Sequence, residues 1–430
     1  MKNVENKSFG KFLIIWAGEL VSSIGSGLTA FALGVYVYQM TGTATSVALV
    51  ILLAFLPSVL LSPIAGVLAD RFDRRLMMII GDGCSSFGLV FILLIMLTGE
   101  IALWQIYLGV MVSSVFVALL EPSYKATITD LLTEEQFSKA SGLVQLAASS
   151  KYLLSPIIAG FLLSVTGLET ILIIDISTIA VTVFAVMFVK KGMQVTKKEQ
   201  ERQKFLKDLA EGWNAVTEKK GVLFLIIIIS IVTFFIGFVQ TLSIPMMLSI
   251  TDVKTLGIVE SVSAMGMLVS SLIIGIFSIT KKYTNELVIG LGFAGWFISL
   301  MGLTTNIFFI AGAFFLFFAA LPFVNTSAEV LIRKTIANEK QGRAWGIIGI
   351  ISQLGYIAAY CISGVLADYV FNPLLVEGGP LASTLGVVIG TGPSRGIGLL
   401  FIISGFMVIV LAVLIFKIKA IRALENNQLI

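Results

Sequence analysis

Twelve apolar stretches recur along this chain of 430 residues, each long enough to cross about 30 Å of hydrocarbon at about 1.5 Å per helical residue. They lie near 12–38, 44–68, 76–98, 102–121, 142–166, 170–189, 222–249, 256–279, 286–304, 307–327, 345–369 and 396–416. Backbone surrounded by lipid must satisfy its own polar groups, which admits only helices and closed barrels, and runs of this length select helices. At 57% hydrophobic and 13% charged residues, with a mean hydropathy of +1.01, the chain has too little polar surface to cover a water-soluble globule. The polar start Met1 to Lys11 leads into a span too long for a signal core, so the first apolar segment is expected to stay as a helix. These features predict an all-α polytopic membrane protein.

The charges orient it. If the N-terminus is cytoplasmic, nearly all of the 29 Lys and Arg fall on that side, leaving Lys254 and Arg395 outside and Lys151 within a span. That asymmetry predicts both termini in the cytoplasm. The one long polar stretch separates six spans from six. It predicts an N-terminal six-helix bundle (12–189), a cytoplasmic linker (190–221) and a C-terminal six-helix bundle (222–420). In the linker, Phe205, Leu206, Leu209 and Trp213 share a helical face, as in a helix lying on the membrane surface, whereas the Lys/Glu-rich half before it reads equally well as a solvated connector. There is no histidine, and Cys84 and Cys361 sit far apart within apolar runs. No disulfide framework, metal set or cofactor motif is legible, and any proton handling near neutral pH falls to carboxylates.

A charged cluster, Gly66-Val-Leu-Ala-Asp-Arg-Phe-Asp-Arg-Arg75, is wedged between the second and third apolar runs. It resembles the loop signature of the major facilitator superfamily, Gly-x-Leu-Ala-Asp-Arg-x-Gly-Arg-Arg. The resemblance implies a major facilitator fold of twelve transmembrane helices in two six-helix bundles with inverted repeats. It also implies that Gly66, Asp70, Arg71, Arg74 and Arg75 latch the two halves on the cytoplasmic side, the acid facing the start of span 11. Gly66 lets another helix approach closely, and Asp70 accepts hydrogen bonds from a helix N-terminus. Where the family has its second glycine this chain has Asp73, and the stretch Gly275 to Lys282, where a related element belongs, has no acid after its glycine. Ser62-Pro-Ile-Ala-Gly66, Ser155-Pro-Ile-Ile-Ala-Gly160, Gly275-Ile-Phe and Gly364-Val-Leu-Ala-Asp368 fall on spans 2, 5, 8 and 11, the positions related by three-plus-three inverted repeats. Ile15-Trp-Ala-Gly-Glu19, Phe55-Leu-Pro57, Ser155-Pro156 and Gln341-Gly-Arg343 narrow the likeness to the macrolide-efflux and enterobactin-exporter branch. That branch's span 4 cavity arginine falls at Ser113 here, and its span 5 Gly-Pro is Ser155-Pro156.

Ionisable residues inside spans each cost a few kcal/mol to insert and are rarely there without a partner or a task. Those present are Glu19, Asp82, Glu121, Lys151, Asp175 and Glu260. Glu19 heads a stripe with Ser22, Ser23 and Ser26, and the resemblance places Glu19, Glu121, Lys151 and Glu260 within reach of a central cavity. By depth, Glu19 and Lys151 form a candidate ion pair with Glu121 competing. A switch between proton-bound and lysine-bound carboxylate competes with a permanent salt bridge. Asp82, near Arg74 and Arg75, and Asp175 read as packing or charge-pairing residues.

Phe234, Phe235 and Phe238 on span 7, and the span 10 phenylalanines from Phe314 to Phe323, offer aromatic walls, with Gln240, Ser243 and Asn325 as polar contacts. For most of these rings, packing against lipid or neighbouring helices is the simpler reading. The Gly/Pro-rich stretch 372–395 predicts a packed extracellular cap, and its Gly390-Thr-Gly-Pro-Ser-Arg-Gly396 lacks the strand a phosphate loop needs. The sequence thus leads to a bacterial inner-membrane protein that works as a monomer. Its partners are a small-molecule substrate, protons and the bilayer, not nucleic acid, and its role is proton-coupled drug efflux by alternating access. Siderophore, lysolipid or metabolite transport in the same fold is the first alternative. An intramembrane aspartyl protease using Asp82 and Asp175 is the second, against which stands the lack of a Gly-x-Gly-Asp form at Ile80-Gly81-Asp82.

Overall fold

In a computed structural model describing residues 8–190, 205–277 and 282–426, every long element is a helix, and twelve are long and apolar enough to cross a membrane. Spans 1 to 6 are Phe9–Thr41, Ala44–Ala69, Arg74–Thr98, Leu103–Leu131, Glu134–Val165 and Leu168–Val189. Spans 7 to 12 are Lys220–Leu248, Val253–Phe277, Tyr283–Leu303, Ile307–Thr335, Lys340–Leu375 and Arg395–Lys417. Several outrun their apolar stretch. Span 4 breaks after Val117 and a second helix, Leu120–Leu131, carries it ten residues beyond 121, while span 5 begins eight before 142 because its helix Glu134–Leu153 propagates through polar residues. The Lys/Glu-rich half of the linker, and 278–281 of the second loop element, lie outside the described residues.

Two compact units emerge from the packing. The first comprises Met1–Thr41, Leu49–Gln200 and Val253–Ser261; the second comprises Gly42–Ala48, Glu201–Asp252 and Val262–Ile430. In the first, span 1 lies along span 6, where Thr182 Oγ1 donates to the Gly18 carbonyl at 2.8 Å. Span 3 lies along span 4, where a Cβ on Gly88 would stand 2.1 Å from the Gly109 carbonyl oxygen. Small residues at these seams let backbones approach and supply van der Waals contact that lipid would otherwise match. Span 5 is broken at Leu154, two residues before Pro156, whose ring cannot follow a regular helix. The amide of Ile157, released there, donates to Ser261 Oγ at 3.1 Å.

In the second unit, spans 9 and 12 pair through Gly295 and Gly302 against Gly405 and Gly398. Arg395, buried, donates to the carbonyls of Gly302 at 2.8 Å and Thr304 at 3.3 Å and so caps the C-terminus of span 9. The stretch 372–395 is packed as its composition suggests, with Leu375 and Ile389 forming a small core with Leu399.

The linker helix Phe205–Thr217 docks on the start of span 11. A Cβ on Gly212 would stand 2.5 Å from the Arg343 carbonyl, and Arg343 pairs with Glu211. Lys340 Nζ pairs with Glu218 at 2.9 Å, and that hydrogen bond holds the Glu218 carboxyl below its ordinary value. A depressed carboxylate contributes above its unfolded value, and the contribution disappears as pH falls through the folded one. Docking of this helix is therefore expected to loosen below about pH 4. A spin label at Asn214→Cys will gain mobility there in the native protein, whereas Lys340→Gln removes the acid dependence. A label that stays immobile throughout counts against the contact. The side chains of Phe205, Leu206 and Leu209 lie outside the described residues.

Candidate functional site

The interior of the first unit holds a charged cluster drawn from five spans. Glu19 comes from span 1, Asp82 from span 3, Tyr124 from span 4, Lys151 from span 5 and Asp175 from span 6. Asp82 and Asp175 are only 4% and 2% exposed, and Tyr124 is buried within reach of the Glu19 charge. The charge of Lys151 acts on both Glu19 and Asp175, and Asp82 in turn feels Glu19 and Asp175.

Close packing of span 1 sets this geometry. Trp16 Nε1 donates to the Leu143 carbonyl at 2.6 Å and ties the helix to span 5 one turn before Glu19. A Cβ on Gly25 would lie 2.9 Å from Asp175 Oδ1 and 2.1 Å from Thr178 Oγ1, and one on Gly27 would lie 2.9 Å from the Lys151 carbonyl. Two glycines thus admit the span 6 carboxylate and the span 5 backbone to the same stretch of span 1. Thr29 and Thr178 set hydroxyls beside Asp175.

Among the described residues no ion pair joins Glu19 to Lys151; one carboxylate oxygen of Glu19 is buried without a hydrogen-bond partner. The sequence expectation of a contact pair gives way to a looser cluster with one cation among three acids. Asp82 is also not held by the loop arginines. Arg74 pairs with Asp130 at 2.8 Å and donates to the Ala126 carbonyl, and Arg75 is buried. Sequence reasoning gave Asp82 and Asp175 a packing or charge-pairing role, for Asp82 because Arg74 and Arg75 lie near it along the chain. The only signal that could have linked them is that both are acids in otherwise apolar helices.

The remaining expected residues are dispersed. Glu121 is exposed and pairs with Lys125 at 2.6 Å one turn along its own helix, so its partner is Lys125 and not Lys151. Glu260 is half-buried in the part of span 8 that packs with the first unit. Ser22 is buried, and Ser26 Oγ donates to the Ser23 carbonyl, which hides part of the span 1 stripe. In the second unit Gln240 is exposed and accepts a 2.6 Å hydrogen bond from the buried Tyr360, while Asn325 is exposed on span 10. Phe238, Phe314 and Phe317 are buried.

In the loop element, Asp73 caps the N-terminus of span 3, its Oδ1 accepting from the Arg75 amide at 3.0 Å. The departure from glycine there thus has a local structural task. Arg71 is exposed. The side chain of Asp70 lies outside the described residues. A Cβ on Gly66 would meet no described atom within 4 Å, so the close helix approach expected there is not found.

Twelve helices long and apolar enough to cross a membrane, with a buried charge cluster inside the first unit, define a polytopic membrane protein. The profile of the Major Facilitator Superfamily matches residues 15–278, and the chain belongs to that family. It is 26% identical to Macrolide efflux protein A of Streptococcus pyogenes over 435 residues, covering 96% of this chain and 97% of that one. It is also 26% identical to Enterobactin exporter EntS of Shigella flexneri over 161 residues, 37% of this chain and 39% of that one. Among solved structures, a bacterial homolog of the human lysosomal transporter Spinster, in an inward-facing and unoccupied conformation, superposes with a TM-score of 0.74. It is 13% identical and covers 98% of each chain, a likeness of fold. With the family shown, the protease alternative falls away.

Proposed function

We propose that this chain is a proton-coupled exporter of apolar or amphipathic small molecules that works by alternating access, with both termini in the cytoplasm. The observation that carries the proposal is the grouping of three acids, Glu19, Asp82 and Asp175, around Lys151 inside the first unit. Three carboxylates and one ammonium leave an excess of negative charge away from bulk water, and a proton is the simplest species that neutralises it. A bound proton can leave if a change of state opens the cluster to water, which couples proton movement to conformation. Near-complete coverage of a macrolide efflux protein supports a drug-like cargo over a siderophore, because the enterobactin exporter matches over a much shorter stretch.

The polar contacts offered to cargo are Ser22, Ser26, Gln240 and Asn325, with Gln240 oriented by Tyr360. Glu121 and Glu260 are the outer acids, and Gly66, Asp70, Arg71, Arg74 and Arg75 form the cytoplasmic latch. Arg74 supports that latch by tying its loop to the end of span 4 through Asp130.

The test is transport by reconstituted monomers in liposomes, using dyes and macrolides with and without a pH gradient. The wild-type protein is expected to accumulate cargo only with the gradient and to lose accumulation when a protonophore is added. Glu19→Gln is expected to keep exchange between equal concentrations while losing gradient-driven accumulation by about tenfold or more. Accumulation indifferent to protonophore removes the proton from the proposal.

A further inference from the structure

The pentapeptide Gly-Val-Leu-Ala-Asp occurs twice, at 66–70 closing span 2 and at 364–368 towards the end of span 11. The two copies meet very different surroundings. A Cβ on Gly364 would stand 2.4 Å from Thr45 Cα, 2.7 Å from Thr45 N and 2.8 Å from the Ala44 carbonyl, so the absent side chain is what lets the first turn of span 2 lie on span 11. On Gly66 the same atom would meet no described atom within 4 Å.

One helical turn beyond Gly364, the carboxylate of Asp368 completes the grip. Its Oδ1 accepts from the Ala44 amide at 3.1 Å, and its Oδ2 accepts from the Thr45 amide at 2.8 Å and from Thr45 Oγ1 at 2.7 Å. Two of the amides that a helix start leaves unpaired are thus satisfied by an acid more than three hundred residues away, at the end of the helix where negative charge is favoured. Asp368 lies in a π-helical segment, Leu366–Phe371, an irregularity that recurs at functional positions in helices.

The grip divides span 2. Gly42–Ala48 packs with the second unit, whereas the helix from Leu49 onward packs with the first. Span 1 ends at Thr41, and only Gly42, at φ 66°, and Thr43 separate it from span 2. Asp368 and Thr45 are half-buried, so water can replace each on release. The matching start of span 8, Val253–Ser261, is held in the first unit by Gly257 against the Pro156 carbonyl and by the Ser261 hydroxyl.

We infer that Gly364 and Asp368 form a releasable clasp on the N-terminus of span 2, and that it engages in alternation with the identical sequence at 66–70. The inference rests on the alternating-access reading. The clasp at 364–368 is closed in the state described here. Opening it frees the first turn of span 2, at the end of the helix remote from the 66–75 loop, as the loop element engages. Asp368, Gly364 and Thr45 are positioning residues for transport and touch no cargo.

Hydrogen–deuterium exchange of the full-length protein in nanodiscs tests this without any substrate or gradient, so a wrong cargo or coupling ion leaves the result intact. Asp368→Ala and Thr45→Val are expected to speed exchange of the 44–48 amides about tenfold, with Asp368→Glu restoring part of the protection. In a Cys84→Ser/Cys361→Ser background, Asp368→Ala is also expected to slow maleimide labelling of Phe72→Cys about fivefold, as the other clasp closes. Gly66→Leu, which blocks that second clasp, should abolish the slowing. Unchanged exchange at 44–48 in both Asp368→Ala and Thr45→Val overturns the clasp. Faster exchange with unaltered labelling at Phe72→Cys reduces it to a local structural contact and overturns the alternation.

Discussion

Lys151→Met is expected to abolish gradient-driven transport and to destabilise the first unit. Lys151 is the cation whose charge reaches both Glu19 and Asp175, and Asp82 stands close enough to feel both acids. Removing one partner of a buried ion pair costs about 3–5 kcal/mol. Lys151 is half-buried, and among the described residues no ion pair joins it to Glu19, so about 1–3 kcal/mol is the fitting expectation. If the cluster answers by binding extra protons, the cost appears in turnover, which should fall about 10- to 100-fold. Thermal unfolding in detergent and dye efflux from liposomes read the two outcomes. The double variant Lys151→Met/Glu19→Gln should recover stability relative to Lys151→Met, because it removes cation and acid together. Wild-type melting and transport in Lys151→Met would show that the lysine does not serve the acids.

The second large effect concerns the fold. Gly292 and Gly295 lie three residues apart on span 9, yet a Cβ on Gly292 meets nothing within 4 Å. On Gly295 it would lie 2.5 Å from the Gly405 carbonyl oxygen and 2.8 Å from Ile409 Cγ1. Backbone cannot step aside as a flexible side chain does, so Gly295→Leu must separate spans 9 and 12 and is expected to cost about 3 kcal/mol or more. Gly292→Leu is expected to leave melting within about 0.5 kcal/mol of the parent. Equal melting of the two variants would mean that the close seam between these helices does not exist in the folded protein.

Much of this was legible along the chain. The number of spans follows from the length of apolar runs, because crossing hydrocarbon sets a minimum that a soluble core helix need not meet. The family followed from the residues around Gly66-Val-Leu-Ala-Asp70, where charge interrupts the apolar pattern in a specific order. The helix ends were less readable, since spans 4 and 5 run on through polar residues that hydropathy assigns to loops.

Residue composition also bounded the chemistry. Without histidine, any proton handling is left to carboxylates, and Glu19 and Lys151 were identifiable as intramembrane charges. Which charges meet was not. Asp82 and Asp175 look like isolated acids on spans 3 and 6 until Gly25 admits Asp175 to span 1. Glu121 looks like a cavity acid until it turns to Lys125 on its own helix. The two copies of Gly-Val-Leu-Ala-Asp are indistinguishable as sequence, yet Gly364 has Thr45 against it and Gly66 has open space. Hydropathy, charge asymmetry and motif order are properties of neighbours along the chain, and they determined the span count, the expected orientation and the family. Partnership between buried charges, and occupancy of a clasp, depend on which helices approach within a few ångströms of one another. Only the packing of glycine-lined seams decided that.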